Sequence, residues 1–120
     1  LPYNLAMPEA FAFGNQAVNG VSMSPLEAAK RLGVSVVISA SLLQSRLTKL
    51  PEAMRTFFPA VRTAAQRAIQ LVRSTPGVTT ALVGMKTAAH VEDNLELAKH
   101  PTASLDQIQQ LFSKRERAHV

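Results

Sequence analysis

The 120-residue chain has no cysteine, no tryptophan and a single tyrosine. Without thiols it has no disulfide framework, no thiolate metal site and no cysteine nucleophile. No stretch approaches the ~20 apolar residues of a membrane span, and mean hydropathy is near zero at +0.07. G-x-G-x-x-G and P-loop patterns are absent, and no Ser/His/Asp arrangement or metal-ligand spacing supports a catalytic or metal assignment. Aromatic residues make up only 5% and the basic residues are spaced out, so nothing supplies the stacking platform or basic stripe of a nucleic-acid binder. Neither nucleic acid nor membrane is expected as a partner. The chain opens Leu1-Pro2-Tyr3-Asn4, with no initiator Met, basic n-region or signal-type apolar core. It is therefore expected to be a piece of a longer, cytoplasmic protein.

What is present suits one small domain with one core: 47% of the residues are apolar. The net charge is +5, and all of it lies in one internal stretch. Arg46, Lys49, Arg55, Arg62, Arg67 and Arg73 face only Glu52 there, whereas acids and bases balance elsewhere. That stretch is read either as a solvated helix face or as a local field for a phosphorylated ligand.

Local signals divide the chain into alternating elements. Leu1 to Leu5 reads as the end of a strand. Pro8 to Phe13 reads as a helical turn or two before Gly14-Asn15, and Asn19-Gly20 as a turn. Ser24, Pro25 and Glu27 form a helix start with a capping box. The helix over 25–32 places Leu26, Ala29 and Leu32 on one face and ends at Gly33. Val34 to Ser39 is β-branched and apolar, as in a strand buried on both faces of a parallel sheet. Residues 40–49 form a polar, basic loop. A helix over 63–73 has Ala65, Ala68, Ile69 and Val72 inside, with Arg62, Gln66, Arg67, Gln70 and Arg73 mostly outside.

Pro76-Gly77 closes that helix, and Val78 to Val83 is a second buried strand. Thr87 caps a helix with Val91, Leu95 and Ala98 on its apolar face, and Pro101 breaks it. Ser104-Leu105-Asp106-Gln107 starts a terminal helix with Leu105, Ile108, Leu111 and Phe112 inside and Lys114, Arg115 and Arg117 in its last turn. The alternation predicts an α/β fold with a parallel sheet, its period being roughly 40–45 residues, as in barrel and doubly wound folds.

In such folds ligands bind where strands end. After the first strand come Ser39, Ser41, Leu42, Gln44 and Arg46, whose hydroxyls, backbone N–H groups and guanidinium suit phosphate oxygens. After the second come Gly84, Met85 and Lys86 at a helix start. His90, Asp93 and Asn94 then share one helix face, where a carboxylate beside a carboxamide matches a purine edge. Each has a plainer reading too: Ser41 and Thr87 as turn or cap residues, His90 as a surface group, Asp93 as the partner of a neighbouring base.

At these loops the chain resembles the C-terminal part of an aldo/keto reductase. Pro2-Tyr3-Asn4-Leu5 is similar to that family's sixth strand, often Q-x-P-Y-N-L. Residues 36–47 resemble the seventh strand and its loop, often A-Y-S-P-L-G-Q-G-R-L. Arg73-Ser74-Thr75-Pro76-Gly77-Val78 leads into the eighth, and residues 84–95 resemble the adenosine-binding turn and helix, here ending Asp93-Asn94-Leu95. The resemblance implies an incomplete (β/α)8 TIM barrel over residues 1–103, with a C-terminal helix over 104–120.

It also implies an NADP cofactor, with NAD as the alternative, and a carbonyl substrate in the full-length protein. Ser41, Leu42, Gln44 and Arg46 would line the pyrophosphate. Gly84, Met85 and Lys86 would line the ribose and its 2′-phosphate beside His90, and Asp93 and Asn94 would hold the adenine. Ser39 stands where many members carry the Tyr that stacks on the nicotinamide, and Ser41 replaces the usual Pro. The family's catalytic Tyr, Lys, Asp and His belong to the missing half, so no catalytic residue is assigned. Tyr3 matches the sixth strand, not the proton donor. The alternative reading is a stand-alone nucleotide-binding or interaction module whose open strand edges drive self-association.

Overall fold

The computed structural model describes residues 1–4, 7–39 and 58–118, and of 114–118 the backbone alone. Its first helix, α1, is a single turn over Glu9–Ala12. An antiparallel hairpin follows, β1 (Gln16–Val18) against β2 (Val21–Met23). Asn19 and Gly20 join them at φ 51° and 79°. That left-handed pair is what a two-residue hairpin turn requires, and Asn-Gly adopts it at little steric cost.

Helix α2 covers Pro25–Arg31. The Ser24 hydroxyl accepts the Glu27 N–H as expected. The Glu27 carboxylate, however, accepts from Arg31 Nε at 3.0 Å. At the other end the Val34 N–H donates to Ala29 O and the Gly33 N–H to Lys30 O, the paired bonds of a Schellman stop. Strand β3 (Val37–Ile38) comes next. Helix α3 (Ala64–Ser74) starts at a full capping box of Thr63 with Gln66.

Strand β4 (Thr80–Ala81) lies parallel to β3, with Val37 beside Thr80 and Ile38 beside Ala81. Helix α4 (Ala88–Leu97) is capped by Thr87. Helix α5 (Leu105–Ala118) starts at Ser104, whose hydroxyl and N–H exchange bonds with Gln107.

The barrel expectation is corrected here. The described residues form two separate two-stranded sheets, one antiparallel and one parallel. Beyond them the parallel pairing continues only as a single bridge between Pro2 and Ser39. A barrel needs a continuous ladder closed on itself, and two-residue strands with one bridge do not make one. The strand runs were also expected to be buried on both faces. Instead Val36 and Ile38 point inward, while Val34, Val37 and Leu82 are exposed. A β-branched run shows strand propensity but not how many faces are covered.

One core unites the chain. Tyr3, Leu26, Ile38, Leu71, Val72, Ile108, Leu111 and Phe112 belong to a single buried cluster, so α5 packs into the same core as the strands. Tyr3, Phe11 and Phe112 form its aromatic centre, with ring centroids 5.5–6.5 Å apart, a spacing typical of tilted aromatic pairs.

Two helices present unexpected faces. In α3 the polar side chains turn inward: Gln66, Arg67 and Gln70 are buried. In α4 the expected stripe is outside, with Val91, Leu95 and Ala98 exposed and Leu97 buried. Leu32 and Leu105, expected in the core, are also exposed.

The turn Pro76-Gly77, which follows α3, lies against Leu26 of α2. Gly77 has φ +92°, and a Cβ there would lie 2.9 Å from Leu26 O. The Gly77→Ala variant should therefore lose about 1–3 kcal/mol of stability, read as a lower urea midpoint. Gly20→Ala, strained at φ 79° but with open space around it, should lose about 1 kcal/mol, less than Gly77→Ala.

Candidate functional site

Parallel pairing brings both strand exits to the same end of the sheet. The Leu82 N–H donates to Ile38 O at 2.8 Å, so residue 39 and residue 82 leave side by side. Of the first exit only Ser39 is described. Its N–H donates to Leu1 O and its carbonyl accepts from the Tyr3 N–H. That backbone is used in the bridge to the first segment, leaving only the side chain for a ligand. Ser41, Leu42, Gln44 and Arg46 lie outside the described residues.

The second exit is fully described. Gly84, Met85 and Lys86 are exposed, and a Cβ at Gly84 would meet nothing within 4 Å. The backbone there is open to an approaching group. Thr87 Oγ1 accepts the His90 N–H at 3.2 Å, which fixes the first turn of α4. Lys86 and His90 have no side-chain hydrogen bond or ion pair among the described residues. They are uncompensated groups at a helix start, a setting that favours an anion.

Farther along α4, Asp93 and Asn94 are half-buried, and Asp93 is bonded to α3 and the residue before its cap. The Asp93 carboxylate accepts from Arg62 at 2.5 Å, and its carbonyl accepts from Gln66 Nε2 at 2.7 Å. The reading of Asp93 as partner to a neighbouring base therefore holds. The same bonds turn α4: its polar side is drawn to α3, and the Val91–Leu95 stripe is carried outward. Arg62 and Gln66 escaped notice as contributors because they lie about thirty positions from Asp93, with no local spacing to signal the pairing.

The basic stretch is only partly a field. Arg62 is bonded to Asp93. Arg67, 8% exposed, donates to Val61 O at 3.1 Å, and its Nε has no partner. Arg73 donates to Gln70 Oε1 at 2.6 Å and to His100 O. These three guanidiniums hold backbone carbonyls and neighbouring side chains in place. Arg46, Lys49 and Arg55 lie outside the described residues.

The single tyrosine is structural. Tyr3 is fully buried, 2.9 Å from Thr75 Oγ1. The Thr75 hydroxyl gives its one proton to Leu71 O at 2.7 Å, so the Tyr3 hydroxyl is the donor to Thr75. Burial pushes its ionisation well above the ordinary tyrosine range, despite the opposing effect of the Thr75 bond. A proton held there is not available to a substrate.

Among the described residues no helix is long and apolar enough to cross a membrane. Comparison with known protein families finds no match, and comparison with curated proteins finds none either.

The Tyr3 phenol has a measurable signature. Because its folded ionisation is raised, its stabilising effect is full below the unfolded value of about 10 and is lost as pH rises beyond it. Stability should fall above about pH 10 in the parent chain and less steeply in Tyr3→Phe. With one tyrosine present, phenolate absorbance should appear together with unfolding. At neutral pH, Tyr3→Phe should cost about 0.5–1.5 kcal/mol. A phenol that ionises near pH 10 while the chain stays folded would contradict its burial.

Proposed function

We propose that the chain is the cofactor-binding, C-terminal portion of an NAD(P)H-dependent aldo/keto reductase of the cytoplasm. The observation that supports this reading is the parallel register of β3 and β4. From the same end of that pair depart both segments whose residues resemble the family's dinucleotide-binding loops. The donor set at the second exit fits the phosphorylated ribose: open backbone at Gly84, with Lys86 and His90 exposed beside it.

In this reading Lys86 and His90 bind the 2′-phosphate, which favours NADP over NAD. Gly84 and Met85 lie against the ribose. Asn94 and the Asp93 carboxylate, steadied by Arg62, hold the adenine. Ser41, Leu42, Gln44 and Arg46 take the pyrophosphate. Ser39 offers the nicotinamide only a hydroxyl, so stacking on that ring comes from outside this chain's first exit. When bound, the reduced cofactor supplies the hydride that converts a carbonyl to an alcohol. These residues bind and orient; the single tyrosine does not deliver the proton to the carbonyl oxygen, because its hydroxyl is committed to Thr75.

Titration of the chain with NADPH, followed by dihydronicotinamide fluorescence, tests this. NADPH should bind more tightly than NADH, and Lys86→Glu should weaken NADPH by about tenfold or more, as expected for a lost charge-assisted contact. Aldehydes incubated with chain and NADPH should not be reduced. Absent NADPH binding, or equal binding by Lys86→Glu, overturns the cofactor assignment. Turnover above background overturns the claim that no acid is present.

A further inference from the structure

A hollow lies beside Pro76, at the turn that leads into β4 rather than at the strand exits. A cavity of about 310 Å³ opens where α1, α2, the start of α5 and Pro76 meet. Its size falls within the range of small-molecule sites. Phe11, Leu26, Pro76 and Leu105 give it apolar walls. The floor is held firmly: Leu26 is buried under the Gly77 turn, and the Ser24 cap fixes the first turn of α2.

The polar groups on the lining are unequal. The Glu27 carboxylate already accepts from Arg31 at 3.0 Å. Lys30 and Gln109 also line the cavity, and neither has a side-chain hydrogen bond or ion pair among the described residues. One spare ammonium and one spare amide therefore stand on the lining of a hollow whose walls are about half apolar. A neutral hydrocarbon would leave that ammonium unused. A multiply charged phosphate would meet one cation, the Glu27 carboxylate and four apolar side chains, an unfavourable exchange for its hydration.

We propose that this cavity binds a small amphipathic carboxylate. Its hydrocarbon part lies against Phe11, Leu26 and Leu105. Its carboxylate accepts from the Lys30 ammonium and the Gln109 amide. Lys30 keeps its charged head near water while its stem borders the hollow, so the ion pair forms without burying an isolated charge.

Octanoate is the probe, titrated into the whole chain by calorimetry and by amide chemical shifts, with octanol as the uncharged match. Octanoate should bind saturably, shifting amides at the starts of α2 and α5, and octanol should bind at least about tenfold more weakly. Lys30→Glu should weaken octanoate by about tenfold or more, with Lys30→Gln between it and the parent. Leu105→Trp, which fills the hollow from an exposed position, should abolish binding while circular dichroism stays unchanged. Equal binding of octanol, undiminished binding in Lys30→Glu, or no shift at the lining residues overturns the proposal.

Discussion

The hydrogen-bonded relay from the Tyr3 hydroxyl through Thr75 to the Leu71 carbonyl is the constraint on which the rest of the chain depends. It joins the first residues to the end of α3, 72 positions away, inside the aromatic cluster that also receives α1 and α5. A phenol is costly to bury unless its hydroxyl is satisfied. Thr75 meets that need at the point where α3 stops, so the first segment, the last turn of α3 and the terminal helix occupy their places together. From this anchor the Tyr3 N–H reaches Ser39 O, which aligns the first segment along β3 and orders the end of the sheet where the proposed cofactor segments begin.

The second organising feature is the polar side of α3. Gln66, Gln70 and Arg73 donate to backbone carbonyls of Asp93, Pro101 and His100. Side-chain amides and guanidiniums here do work that apolar stripes do in an ordinary helix pair. The burial of Gln66 and Gln70 is tolerable because each side-chain amide meets a backbone carbonyl. The consequence for function is direct. Half of the cationic stretch is committed to holding α3 against its neighbours. Among the lysine and arginine side chains that are described, Lys86 and Lys30 carry charge without a hydrogen-bond or ion-pair partner and are left for an anionic ligand.

Helix starts and turns were legible from the chain alone. Ser24 with Glu27, Thr63 with Gln66, Thr87 with His90 and Ser104 with Gln107 all bond across three residues, and Asn19-Gly20 and Gly33 occupy left-handed turns. The segments around the hairpin turn were not read as strands, because Gln16-Ala17-Val18 and Val21-Ser22-Met23 are too short to show an alternating period. Of the proposed site, the exposed turn at Gly84 to Lys86 could be located from its glycine and the cap that follows. The tilt of Asp93 toward Arg62 could not.

The amino-acid order by itself determined where helices begin and end and where the chain turns. Those choices are made by bonds between neighbours three or four residues apart, and such bonds form whatever surrounds them. Only the tertiary structure decided which faces were covered. It turned the Val91–Leu95 stripe of α4 to solvent, buried α3 on its polar side as well as its apolar one, and left one face of β3 open. Burial is set by partners tens of residues away, and a periodic stripe of apolar residues does not say whether it will be covered or whether the polar side will be covered with it.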